Sequence, residues 1–250
     1  MDMALHELPL AIFTTLAPMG AGAFVTLAIV FLSKKFSAEE YKRIDAITIV
    51  PLLFCLVGLI ASFAHLANPF NALNVLSTIG VTPLANEITA FGLFCVVAVI
   101  YWIAALMGKL SFESRKIFSV IVAVLGAVFA LFVGMAYMLY TIVSWNTPLS
   151  PIMMFGFFLF GGSLLGVFVL ALATKGNLTL SDVEEKRVFG AFTLGALVAL
   201  VGVIVFFVMA SGTPSVFFNV AALSGSLIPA FVGFIILAVI AYGIGFFTIK

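Results

Sequence analysis

Seven long apolar runs dominate this chain, and its eleven Lys and Arg residues fall only into the joints on alternate sides of those runs. Lys34, Lys35, Lys42 and Arg43 follow the first run, Lys109, Arg115 and Lys116 the third, and Lys175, Lys186 and Arg187 the fifth, with Lys250 at the end. The joints around 66–85, 142–151 and 212–225 carry none. About 20 mostly apolar residues cross a hydrocarbon layer as a helix, which predicts spans at 9–32, 46–66, 86–108, 117–141, 152–173, 188–211 and 226–248. Short joints rich in Lys and Arg stay on the cytoplasmic side. The expected fold is therefore an all-α polytopic transmembrane bundle of seven spans, amino terminus outside and carboxyl terminus inside, filling residues 1–250 as a single integral membrane domain.

Composition closes off other classes. Hydrophobic residues make up 64% of the chain and charged ones 8%, far from a soluble domain. The apolar runs are continuous rather than alternating, which excludes a transmembrane barrel. A formal charge of +1 gives no footprint for nucleic acid. Residues 1–8 lack the positive start of a secretory signal, so the first run reads as a retained helix. Cys55 and Cys95 fall inside spans without metal-ligand or disulfide spacing and read as packing residues.

Local signals place the helix ends and contacts. Ser37-Ala38-Glu39-Glu40 and Ser181-Asp182-Val183-Glu184 have the hydroxyl and carboxylate spacing of a capping box, which extends the second and sixth helices beyond the membrane. Gly20 and Gly22, and Gly162-x-x-x-Gly166, suit close helix approach. Trp102 and Trp145 stand near opposite interfaces as anchors. The joint between the second and third spans differs from the rest. At about 20 residues it exceeds a usual helix–helix connection. It opens on Asn68-Pro69 and reaches Gly80, which predicts a short interfacial helix with Asn71, Asn74 and Thr78 opposite Phe70, Leu73 and Leu76.

The ionisable groups in or beside the spans are His6, Glu7, Asp45, His65 and Glu87. A solvated pair with the nearby Arg43 accounts for Asp45, and a headgroup-level position for His6 and Glu7. His65 closes the second span and Glu87 opens the third, so both flank the unusual joint on the outer side. Ionisable groups at such depth mark a pathway or binding site. Two readings stay open: a pair that exchanges protons with a ligand, or a pair that closes the end of the bundle. Two histidines, one ahead of its helix, do not make a bis-histidine haem site. The last span holds no lysine for a retinal Schiff base. Polar groups gathered at one face also count against an ion-coupled transporter.

The run His65-Leu66-x-x-Pro69-x-x-Ala72-x-Asn74-x-Leu76, then Gly80 and Leu84-x-Asn86-Glu87, resembles the membrane-anchor subunit of dimethyl sulfoxide reductase. The opening His6-Glu7-x-Pro9-Leu10-x-Ile12-Phe13-Thr14 is similar to that family's start. The resemblance covers residues 1 to about 110. It implies a non-haem anchor in the bacterial inner membrane that oxidises menaquinol near the outer face. Electrons would pass to an iron–sulfur subunit and on to a molybdopterin catalytic subunit, so those cofactors belong to the partners. Carried over by position, His65 and Glu87 would bind and oxidise the quinol, with Asn68, Asn71, Asn74 and Asn86 as supporting polar groups. The sequence departs from the family in showing seven spans rather than eight, and in having Asn71 where the family carries a basic residue. The rival readings are a quinone-interacting anchor of a polysulfide or nitrite reductase, a small-molecule transporter, and a purely structural anchor.

Overall fold

The computed structural model describes residues 8–66, 69–139, 145–212 and 220–249. Its helices run α1 Leu8–Phe31, α2 Ala38–Ile47, α3 Ile49–His65, a 3₁₀ segment Pro69–Thr78, α4 Pro83–Leu106, α5 Phe112–Ala136, α6 Leu149–Ala173, α7 Asp182–Ser211 and α8 Val220–Ile249. Seven helical stretches are long and apolar enough to cross a membrane, with α2 and α3 together forming one of them. These agree with the seven runs read from the sequence.

Both capping boxes form. Ser37 N–H donates to Glu40 Oε2 at 2.8 Å, and Glu40 N–H returns a bond to Ser37 Oγ at 3.3 Å. The Ser181 and Glu184 pair repeats the pattern at 2.9 and 3.4 Å. Each box satisfies helix-end N–H groups that would otherwise lack an acceptor. They start the helices well before the apolar runs, at Ala38 and Asp182 rather than 46 and 188.

The hub of the bundle is α1, which packs against α3, α5 and α6 and touches α7. Its approach to α6 depends on paired glycines. A Cβ on Gly22 would fall into the Phe158 carbonyl and Gly162, and one on Gly162 into the Gly22 backbone. One turn further on, Thr26 Oγ1 donates to the Ser163 carbonyl at 3.3 Å. In hydrocarbon there is little hydrophobic gain from joining helices, so close backbone packing and interhelical hydrogen bonds hold them. On its other side α1 meets α4 and α5 through rings. Phe13, Phe91 and Phe129 interlock, with Phe91–Phe129 centroids 4.6 Å apart, and Phe24 sits edge-on to Phe94.

The basic end of the bundle is knitted by charge. Asp45 is buried, at 4% exposure, and Arg115 from the first turn of α5 grips both of its oxygens, Nη2 to Oδ2 at 2.7 Å. The Arg115 guanidinium lies 4.5 Å from the Tyr41 ring centre, and Trp102 Nε1 donates to the Asp45 carbonyl at 2.8 Å. This corrects the solvated Asp45–Arg43 pair expected from their nearness in sequence. Arg43 instead pairs with Glu39 at 2.6 Å and caps the α6 carbonyl of Ala173 at 2.5 Å. A buried carboxylate needs a partner inside the protein, and only the neighbouring helix brings one.

Candidate functional site

The end of the bundle opposite the basic loops is built from α3, the 3₁₀ segment and α4, which all contact one another. The joint's helix forms, but as 3₁₀ over Pro69–Thr78. Its repeat of about three residues per turn separates Thr78 from the edge shared by Asn71 and Asn74. Thr78 turns back instead, its hydroxyl donating to the Val75 carbonyl at 2.8 Å and lying 3.1 Å from the Thr82 hydroxyl.

The backbone then reverses at Gly80, whose φ of +79° is open to glycine at little cost. Gly80 N–H donates to Asn86 Oδ1 at 2.7 Å. Thr82 caps α4, accepting from Ala85 N–H at 3.3 Å, and Pro83 fills the first helical position. This start lies ahead of the expected 86. Glu87 therefore stands in the second turn of α4 and does not open the helix, so the helix dipole, whose effect fades within the first turn, bears on it less.

Glu87 is 6% exposed, and no cation pairs with it among the described residues. One turn along the same helix is Phe91, edge-on to Phe13 of α1 with ring centres 5.7 Å apart. Glu87 is thus buried one turn ahead of a ring contact between α4 and α1. Exposed Leu66, Leu76, Ile79, Val81 and Leu84 surround this end of the bundle with an apolar collar.

The other expected residues fall as follows. His65 is the last residue of α3 and thus reaches the same end as Glu87; its side chain lies outside the described residues. Asn68, His6 and Glu7 lie outside them altogether, and the Asn71 side chain does too. Asn74 is exposed on the 3₁₀ segment, and its carbonyl accepts from Ser77 Oγ at 2.7 Å. Asn86 commits its side-chain oxygen to the turn. Sequence reasoning did not assign Thr82 or the Gly80–Asn86 bond. A Thr-Pro start and a preceding glycine were the available signals.

Seven helical stretches long and apolar enough to cross a membrane, with a buried carboxyl group beside the joint at one end, make this a multi-pass membrane protein. The protein belongs to the DMSO reductase anchor subunit (DmsC) family, whose model matches residues 1–245. It is 36% identical over 172 residues to the C subunit of anaerobic dimethyl sulfoxide reductase from Escherichia coli, a match that spans 67% of this sequence and 59% of that protein. It is 29% identical to the protein of the same description from Haemophilus influenzae over 204 residues, 81% of this sequence and 71% of the other. A third relative, the anaerobic dimethyl sulfoxide reductase subunit YnfH of E. coli, is 30% identical over 80% of this sequence and 68% of its own length. The match thus spans less than two thirds of the length of the E. coli C subunit. No solved structure matches.

Proposed function

We propose that this protein anchors a dimethyl sulfoxide reductase-type complex in the bacterial inner membrane and oxidises menaquinol at the Glu87 end of the bundle. The observation that carries the reading is Glu87 itself, buried with no paired cation among the described residues and set beside the joint that follows His65. Carboxyl groups at membrane depth are costly and tend to be retained for function. The Lys and Arg joints gather at the opposite end, which supports an outward-facing site.

Oxidation of a quinol to the quinone releases two electrons and two protons. The His65 imidazole accepts a hydroxyl proton from the headgroup, while Glu87 orients that ring or relays the proton to water. Asn68, Asn71 and Asn74 supply hydrogen bonds along the joint, and Asn86 holds its turn in place. The electrons leave to an iron–sulfur partner subunit, which passes them to a molybdopterin catalytic subunit on the same outer face. The family and the names of its relatives support a catalytic and an electron-transfer partner subunit, without specifying their cofactors.

The test is quinol oxidation by the purified complex carrying Glu87→Gln or His65→Ala. Either change is expected to abolish turnover with quinol while the subunits still copurify and the reduced complex still consumes an artificial electron donor. Unchanged quinol turnover in both variants would overturn the assignment and favour a purely structural anchor.

A further inference from the structure

A cavity of about 720 Å³ lies within the bundle between α1, α6, α7 and α8, bordered by Thr14, Met19, Phe157, Leu200, Leu237 and Tyr242 among others. Ring contacts hold α8 on either side of it: Phe231, near the middle of the helix, stacks on Phe207 at 4.3 Å, and Tyr242, two turns before its end, on Phe192 at 5.2 Å. Beyond Tyr242, Gly245 lets α8 sit directly against the Phe192 ring. Between these contacts the cavity lies against α8, and Phe234 sits edge-on to Phe157 of α6 at 6.5 Å.

The lining holds no charged side chain, and the hydroxyls at its border already have partners. Thr14 and Thr15 bond carbonyls of their own helix, and the hydroxyls of Thr193 and Tyr242 are 3.2 Å apart. Water needs two to four polar partners to occupy a buried space, and this largely apolar lining offers it few. An empty gap forfeits the dispersion contacts of every atom that lines it. The volume falls in the usual range of small-ligand sites, ~300–1,000 Å³. Strongly exposed Leu197, Leu237 and Val239 continue the lining onto the outer faces of α7 and α8, so the space runs into the surface that meets lipid.

We propose that this cavity is a lipid site in which one acyl chain of a membrane phospholipid wedges between α8 and the rest of the bundle. Lined by α1, α6, α7 and α8, it takes no residue from α3, the 3₁₀ segment or α4, where the candidate quinol groups lie. It offers nothing to accept a quinol proton, so a plain hydrocarbon chain is the occupant that its chemistry fits. The acyl group completes the packing of α8 and makes the helix's attachment depend on lipid.

The test uses the full-length protein with its copurifying subunits in vesicles of phosphatidylglycerol with brominated acyl groups. Phe157→Trp places a reporter in the cavity wall, away from Trp102 and Trp145, neither of which lines it. Bromine is expected to quench the new emission, and filling the space with Ala238→Phe in the same background is expected to remove that quenching. Ala196→Phe, from the opposite wall, gives the same reading should the first filling variant fail to fold. Quenching unchanged by filling, or no quenching of the reporter at all, overturns the proposal. Relief of quenching by added unbrominated menaquinone at constant phospholipid would assign the space to an isoprenoid tail and overturn it as well.

Discussion

The side-chain oxygen of Asn86 accepts the Gly80 N–H at 2.7 Å, so a residue inside the first turns of α4 fixes the reversal that precedes the helix. That bond closes a short circuit with the Thr78–Thr82 hydroxyl pair and the Thr82 cap. Glu87 is the next residue along. The geometry of the joint and the position of the buried carboxyl group are therefore set together, and a change in one is felt by the other.

Asn86→Ala should loosen the turn without disturbing assembly. A neutral hydrogen bond of this kind contributes about 0.5–1.5 kcal/mol. On the proposed quinol site, the expected result is a higher KM for quinol with a smaller change in kcat, because the headgroup would lose an ordered frame while Glu87 remains. Asn86→Asp keeps an oxygen acceptor and should recover most of the loss. Steady-state kinetics with a soluble quinol analogue measure both variants, and a KM unmoved by Asn86→Ala would contradict the role given to the turn.

Asp45 and Arg115 give a sharper stability prediction. Removing one member of a buried ion pair typically costs about 3–5 kcal/mol, since the other charge is left without compensation. Asp45→Leu and Arg115→Leu should each lower the unfolding temperature in detergent and reduce the protein in the membrane fraction. The double variant Asp45→Leu, Arg115→Leu should recover much of that loss, because no stranded charge remains. Thermal melts of the two single variants and the double variant form the cycle that checks this.

The seven spans were legible because length and hydropathy alone decide whether a helix can cross, and the capping residues at Ser37 and Ser181 set real helix starts. Position along the sequence was a poorer guide to partnership. Asp45 stands two residues from Arg43, yet it is held by Arg115, seventy positions away, because α2 and α5 meet at the basic end. The joint after His65 was recognisable from Asn68-Pro69 and Gly80. Its 3₁₀ winding was not, since steps of three and four residues through Asn71, Asn74 and Thr78 read as one face of an α-helix. The site's members were also only partly legible as geometry. Burial of Glu87 follows from how α4 packs on α1 and α5 through Phe91, a contact with no local signature.

The Gly22–Gly162 contact predicts intolerance of volume. Neither glycine can gain a side chain without pushing α1 from α6, and overpacking in a well-filled interior costs about 1–3 kcal/mol even for a small group. Gly162→Leu should therefore shift the unfolding transition further than Gly190→Leu, where an added Cβ meets nothing within 4 Å. Limited proteolysis and thermal melts of the two variants compare them directly. Equal stability would show that this approach of α1 and α6 does not hold the bundle together.

The proposed arrangement also fixes the electrical outcome of turnover. If quinol gives up its protons at the Glu87 end and its electrons leave to partners on that same face, no net charge moves through the hydrocarbon layer. The interior of the bundle between Glu87 and the basic end is largely filled with rings, from Phe91 and Phe94 to Phe129 and Tyr101, all of them buried. Packed phenylalanine rings offer a proton neither donor nor acceptor and so give it no relay. Sealed vesicles containing the complex, driven by quinol and its acceptor, are expected to show no potential on a voltage-sensitive dye and no net pH change on either side, because acceptor reduction takes up the two protons that quinol releases. A potential sustained by turnover alone would mean that protons are drawn from, or electrons delivered to, the opposite face, and would require a conduction route through a core that α1, α4 and α5 fill with phenylalanine.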